Sequence, residues 1–101
     1  EIRALLEETQ SLALTSQVSH RVGFDANDHS LLIKRKQSGS YAILQKRPVE
    51  EEMTLEATRW PSFGPFGFAQ SGTILLDSPE FQTSIVVSSV GRIRQTDLLK
   101  K

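Results

Sequence analysis

Arg92 and Arg94, near the end of the chain, are the side chains best suited to chemistry on a charged ligand. They flank Ile93 and follow Gly91. If residues 92–95 are extended, the pleat sends both guanidiniums to one face and Ile93 to the other. Two forked cations held side by side on a strand bridge successive phosphates or a pair of carboxylates. The plain alternative is a solvated hairpin end, because a charged strand face usually only meets water. Lys100 and Lys101 extend the basic character, and Asp97 is the one acidic residue beyond Gly91. Upstream, Ile85, Val86 and Val87 form a β-branched run expected of a strand with a buried face. Gly91 then interrupts the pattern where a tight turn or bulge would use its tolerance of positive φ.

Other residues with chemical potential resolve into structural roles. His20 shares the apolar face of an alternating segment and reads as a core or boundary histidine rather than a catalytic one. His29 falls in a turn. Asp25-Ala26-Asn27-Asp28-His29-Ser30 has the opening of a calcium loop but fails its pattern. Its fifth position is His29, no glycine stands at the sixth, and Lys36 or Gln37 occupies the place of the bidentate glutamate. Glu50-Glu51-Glu52 reads as a solvated turn. The sequence holds no Gly-rich phosphate loop, nucleophile elbow or HExxH spacing, and the expectation is a protein that is not an enzyme. With no cysteine, it offers no disulfide framework, cysteine zinc site or thiol nucleophile, and no cofactor or metal is expected.

The elements that would position these residues follow from periodicity. Residues 1–16 are expected to be helical: Ile2, Leu5, Leu6, Thr9, Leu12, Ala13 and Ser16 recur at three- and four-residue spacing. The pattern is already running at Glu1 with no N-cap before Ile2. Both a helix continued upstream and a frayed terminal helix packed on a sheet fit that start. From Gln17 the period becomes two, with Val18, His20, Val22 and Phe24 on one face. Residues 25–28 form a turn, strands are expected over 31–36 and 41–46 around a Gln37-Ser38-Gly39 turn, and a fourth over 53–57. Residues 60–72 hold four of the seven aromatics, Trp60, Phe63, Phe66 and Phe68, among prolines and glycines. An ordered loop with its aromatics buried against the core is expected there. Strands over 73–76 and 81–88 complete one helix and six or seven strands, an α+β domain with the helix on antiparallel sheet.

At 101 residues the chain is expected to form one domain over 1–101, with a helix at 1–16 and a β-rich region at 17–95. Twelve basic residues balance twelve acidic ones, and 38% of residues are apolar. This excludes a disordered tail and binding of nucleic acid through bulk charge, so any such contact must come from a local patch. No run approaches the ~18 apolar residues of a membrane span.

Several blocks resemble the GspH/FimT pseudopilins, to which the ComGD-type competence pseudopilins are similar in layout. They are the opening helix, the alternating Gln17-Val18-Ser19-His20-Arg21-Val22, Phe66-Gly67-Phe68, Gly72-Thr73-Ile74-Leu75-Leu76, and the closing Val86-Val87-Ser88-Ser89-Val90-Gly91-Arg92-Ile93-Arg94. The resemblance spans most of the chain, and its most specific parts are residues 72–76 and 91–94. It implies a pilin-like fold whose truncated N-terminal helix continues upstream as a transmembrane anchor absent from this chain. It further implies a minor pilin or pseudopilin held in the inner membrane before assembly, with the globular part displayed in the periplasm or outside the cell. The implied partners are other pilins in a type IV filament or type II secretion machine, and the membrane through the missing helix. In the FimT branch a Gly-Arg-x-Arg ending accompanies DNA binding in natural transformation, which maps onto Gly91, Arg92 and Arg94, with Lys100 and Lys101 assisting. Double-stranded DNA would be held through phosphates, weakly by one subunit and more strongly by many. Secretion-type relatives share a Gly-Arg ending, so a structural subunit that binds only other pseudopilins, with the aromatic loop facing a neighbour, is equally implied.

Overall fold

The computed structural model describes residues 2–96 and 99–100. Helix α1 spans Ile2–Ser16 and buries Ile2, Leu5, Leu6, Thr9 and Ala13, the stripe that the three- and four-residue spacing marks out. Leu12 is half-buried and Ser16 is exposed, so the stripe closes one turn early. Thr9 sits at full burial because its Oγ1 donates to the Leu5 carbonyl at 2.7 Å, which satisfies the hydroxyl within the helix. Gln17 ends the helix at φ 56°, a left-handed residue that turns the chain out of the helical path. The first strand therefore begins at His20 rather than at Gln17 as the alternation predicts.

Two antiparallel sheets follow, built from ten strands among the described residues. The first contains β1 (His20–Asp25), β2 (Ser30–Gln37), β3 (Ser40–Pro48), β5 (Ser62–Phe63) and β6 (Ala69–Gln70), in the order β3-β2-β1-β5-β6. The second contains β4 (Thr54–Ala57), β7 (Gly72–Asp77), β8 (Phe81–Val87), β9 (Ile93–Gln95) and β10 (Leu99–Lys100). Its order is β10-β8-β7-β4, and β9 also pairs with β8. The chain crosses to the second sheet for β4, returns for the short β5–β6 hairpin, and crosses again for β7. The expected six or seven strands are thus corrected to ten. The additions are mainly two-residue strands, and β4 pairs with β7 in the second sheet rather than with β3. Ser38 and Gly39 both take positive φ between β2 and β3, the two-residue turn whose twist suits a hairpin.

The core lies where α1 meets both sheets. Leu5, Leu6 and Ala13 pack with Val22 and Ile33 of the first sheet, Ile74, Ile85 and Val87 of the second, and Phe63 of β5. Each large side chain buried there stabilises the fold by about 1.5–3 kcal/mol. A 15-residue helix is marginal alone, so packing of this face rather than propensity holds it. The expected burial of the aromatic loop is half met. Phe63 is buried and Trp60 half-buried, but Phe66 is 79% and Phe68 68% exposed. Residues 64–68 form the tip of the β5–β6 hairpin, closed by the Gly64 amide donating to the Phe68 carbonyl, and the core reaches neither Phe66 nor Phe68.

His20 is buried and satisfied: its Nδ1 donates to the Val18 carbonyl at 2.7 Å. The loop after β1 is a carboxylate-capped turn. Asp25 Oδ1 accepts from the Asn27 amide at 2.9 Å, and Lys46 Nζ lies 2.6 Å from Asp28 and 3.6 Å from Asp25. The Asp28 and Asn27 amides, with Lys46 beside them, hold the Asp25 carboxyl below its ordinary value.

Candidate functional site

Three elements converge on Gly91. A turn across residues 88–91 is closed by the Gly91 amide donating to the Ser88 carbonyl at 3.0 Å. The Ser88 hydroxyl accepts from the Arg92 amide at 3.1 Å, and the Ser88 amide donates to the Arg92 carbonyl at 2.9 Å. From α1, Gln10 Nε2 donates to the Gly91 carbonyl at 2.6 Å. From the β5–β6 side, the Ala69 amide donates to the Ser89 carbonyl at 2.9 Å. Gly91 is buried at φ 81°, and a Cβ built on it would stand 2.5 Å from the Gly67 carbonyl oxygen and 2.7 Å from Gln10 Nε2. Only glycine fits this junction.

Beyond the junction, Arg92 and Arg94 are exposed, while Ile93 between them is half-buried against the core. The alternation expected of residues 92–95 is therefore present, with the strand itself beginning at Ile93. Among the described residues neither guanidinium has an ion-pair partner. Lys100 is also exposed but does not join them. It pairs with Phe81 whereas Arg94 pairs with Val86. That places it five residues along β8, about 17 Å at the rise of a strand. Lys101 lies outside the described residues. Gly91 thus shapes the turn, Arg92 and Arg94 form a pair, and Lys100 stands apart.

The same junction gathers exposed apolar side chains, among them Phe66 and Phe68, whose burial the sequence predicts. Phe66 and Phe68 flank Gly67, Val90 precedes Gly91, and Leu14 of α1 lies close to Gly67. All four are exposed, Val90 by 68% and Leu14 by 46%. Scattered apolar residues on a surface are ordinary, whereas these four gather around one junction as an exposed apolar patch.

No helix among the described residues is long and apolar enough to cross a membrane. Comparison with protein-family models and with curated proteins found no match. The fold itself is defined: a single N-terminal helix laid on antiparallel sheets is the α+β arrangement of a pseudopilin. The chain is similar to the minor pseudopilin EpsH from the type 2 secretion system of Vibrio cholerae, at a TM-score of 0.78 and 14% identity. The likeness covers 94% of this chain and 90% of that one.

Proposed function

We propose that this chain is the globular part of a minor pseudopilin, a non-catalytic subunit that joins other pilin-type subunits in a filament. The observation that carries the reading is the shared fold over nearly the whole length of both chains. The exposed cluster of Leu14, Phe66, Phe68 and Val90 supplies the surface where a neighbouring subunit packs. In this reading α1 continues upstream as a membrane anchor before assembly, and the sheets are displayed in the periplasm or beyond it. The test is incorporation into the filament in the native host. A Phe66→Ser/Phe68→Ser variant should remain folded and fail to assemble with its partner subunits. Normal assembly of that variant would remove the patch from the proposal.

The exposure of Arg92 and Arg94, with no ion-pair partner among the described residues, favours a second role on the same subunit. Double-stranded DNA would be held by its phosphates at Arg92 and Arg94, positioned by the Gly91 turn, with Lys100 and Lys101 further along the chain.

A further inference from the structure

A cleft of about 420 Å³ opens on the first sheet, lined in part by Arg21, Lys34, Arg59, Trp60, Phe24 and Gln70. Arg21 and Lys34 are directly opposed in the β1–β2 register. Like charges so placed repel and weaken a sheet. Lys34 also lies across β1 over Gly23, where a Cβ would stand 3.6 Å from its Cε and Nζ. Among the described residues no carboxylate comes within ion-pair distance of Arg21, Lys34 or Arg59. Among the described residues, Glu7, Glu8, Asp25 and Asp28 are engaged elsewhere, with Arg3, Arg47 and Lys46.

Arg21 is fixed in place. Its guanidinium sits 4.5 Å above the centre of the Tyr41 ring, while its Nε is buried with no hydrogen-bond partner. A buried donor left unpaired is rare and leaves room for a water or an ion beside it. Trp60, which also lines the cleft, is stacked on Phe24 at 6.3 Å between centroids and 17° between planes. The volume falls in the range of small-ligand sites.

We propose that this cleft binds a phosphate-bearing anion, with Arg21, Lys34 and Arg59 as its cationic contacts and Trp60 as its wall. One carboxylate is matched by a single guanidinium fork, whereas three cations around one space suit a multiply charged tetrahedral anion. The phosphate belongs either to a free anion or to a phosphodiester, and both present the same oxygens. The cleft is separate from the Gly91 junction and its two arginines, and the proposal does not depend on filament assembly.

Trp60 is the only tryptophan in the chain and lines this cleft, so its emission reports on a ligand bound there. The protein is titrated with sodium pyrophosphate, with a short thymidine oligonucleotide and with a glutamate-rich peptide, each at two salt concentrations. A saturable change with pyrophosphate supports a free anion, and one with the oligonucleotide alone supports a phosphodiester. In either case Lys34→Gln and Arg59→Gln each weaken binding by about tenfold or more. Arg3→Gln, which removes a positive charge from the exposed face of α1, leaves it unchanged. The proposal is overturned by no saturable change with either phosphate ligand, by a response only to the peptide, or by equal affinity in all three variants.

Discussion

Gln10 and Gly91, 81 residues apart, are joined by a 2.6 Å hydrogen bond from the helix side chain to the turn carbonyl. The bond fixes the angle at which the chain leaves β8 for β9, and so where Arg92 and Arg94 stand. A methyl group at Gly91 meets both Gln10 and the Gly67 carbonyl oxygen in a backbone conformation unfavourable to L-residues. Gly91→Ala is expected to lower unfolding stability by about 1–3 kcal/mol. Gln10→Ala, which only leaves the carbonyl unpaired, should cost about 1 kcal/mol. Urea denaturation of the two variants checks the order, and a harmless Gly91→Ala would contradict the packing at the junction.

Phe63 and Phe66 sit three residues apart at the β5–β6 hairpin with opposite environments. Phe63→Ala opens a cavity beside α1 and should cost about 3–5 kcal/mol. Phe66→Ala should stay within about 0.5 kcal/mol of the parent. Thermal or denaturant unfolding separates the two. Similar losses would mean that the hairpin tip is packed rather than exposed.

The Asp25 turn gives the acid limb of stability a specific contributor. Its carboxylate is favoured in the folded state by the amides of Asn27 and Asp28, with Lys46 adding to the effect. A depressed folded value means that the stabilisation is present above the ordinary value of 3.8 and is lost as pH falls through the lower folded value. An NMR titration of the Asp25 carboxyl should give a midpoint below 3.8. Asp25→Asn should flatten the stability change across that acid window. A midpoint at or above the ordinary value would contradict the turn geometry.

If DNA is held at the edge of β9, Arg92→Ala/Arg94→Ala removes two phosphate contacts. Affinity for double-stranded DNA of any sequence should fall, and the slope of log affinity against log salt should shrink by about 1.8. Circular dichroism confirms that the exposed double variant is folded. An unchanged slope would assign DNA contact, if any, to other residues.

Much of this architecture was readable because its signals are local. The stripe from Ile2 to Ala13 repeats within one helix, and Ser38-Gly39 carries its own turn chemistry. Arg92 and Arg94 were legible for the same reason: two charges around one apolar residue need only an extended backbone. The division into two sheets was not. The alternation around Leu55 suits a partner in either sheet, and pairing with β7 is decided some twenty residues later in the chain. The two-residue strands β5, β6 and β10 are too short to show a period. The exposure of Phe66 and Phe68 follows from where the hairpin tip projects, and composition predicts the opposite. Arg21 was visible on the polar side of β1, but its placement against Lys34 depends on register, and that of Arg59 on the crossing between sheets.

The central claim is that the surface around Leu14, Phe66, Phe68 and Val90 faces another pilin-type subunit. The 101 residues hold no cysteine, so Phe66→Cys adds a single thiol to this domain for cross-linking in the native host, with Asn27→Cys in the β1–β2 turn as the comparison. Mass spectrometry of the products from Phe66→Cys should identify chains with an N-terminal pilin-type helix, and those products should be weak or missing from Asn27→Cys. Cross-links from Phe66→Cys only to proteins outside that class, or the same partners from both positions, would contradict the assignment of this surface and the subunit role built on it.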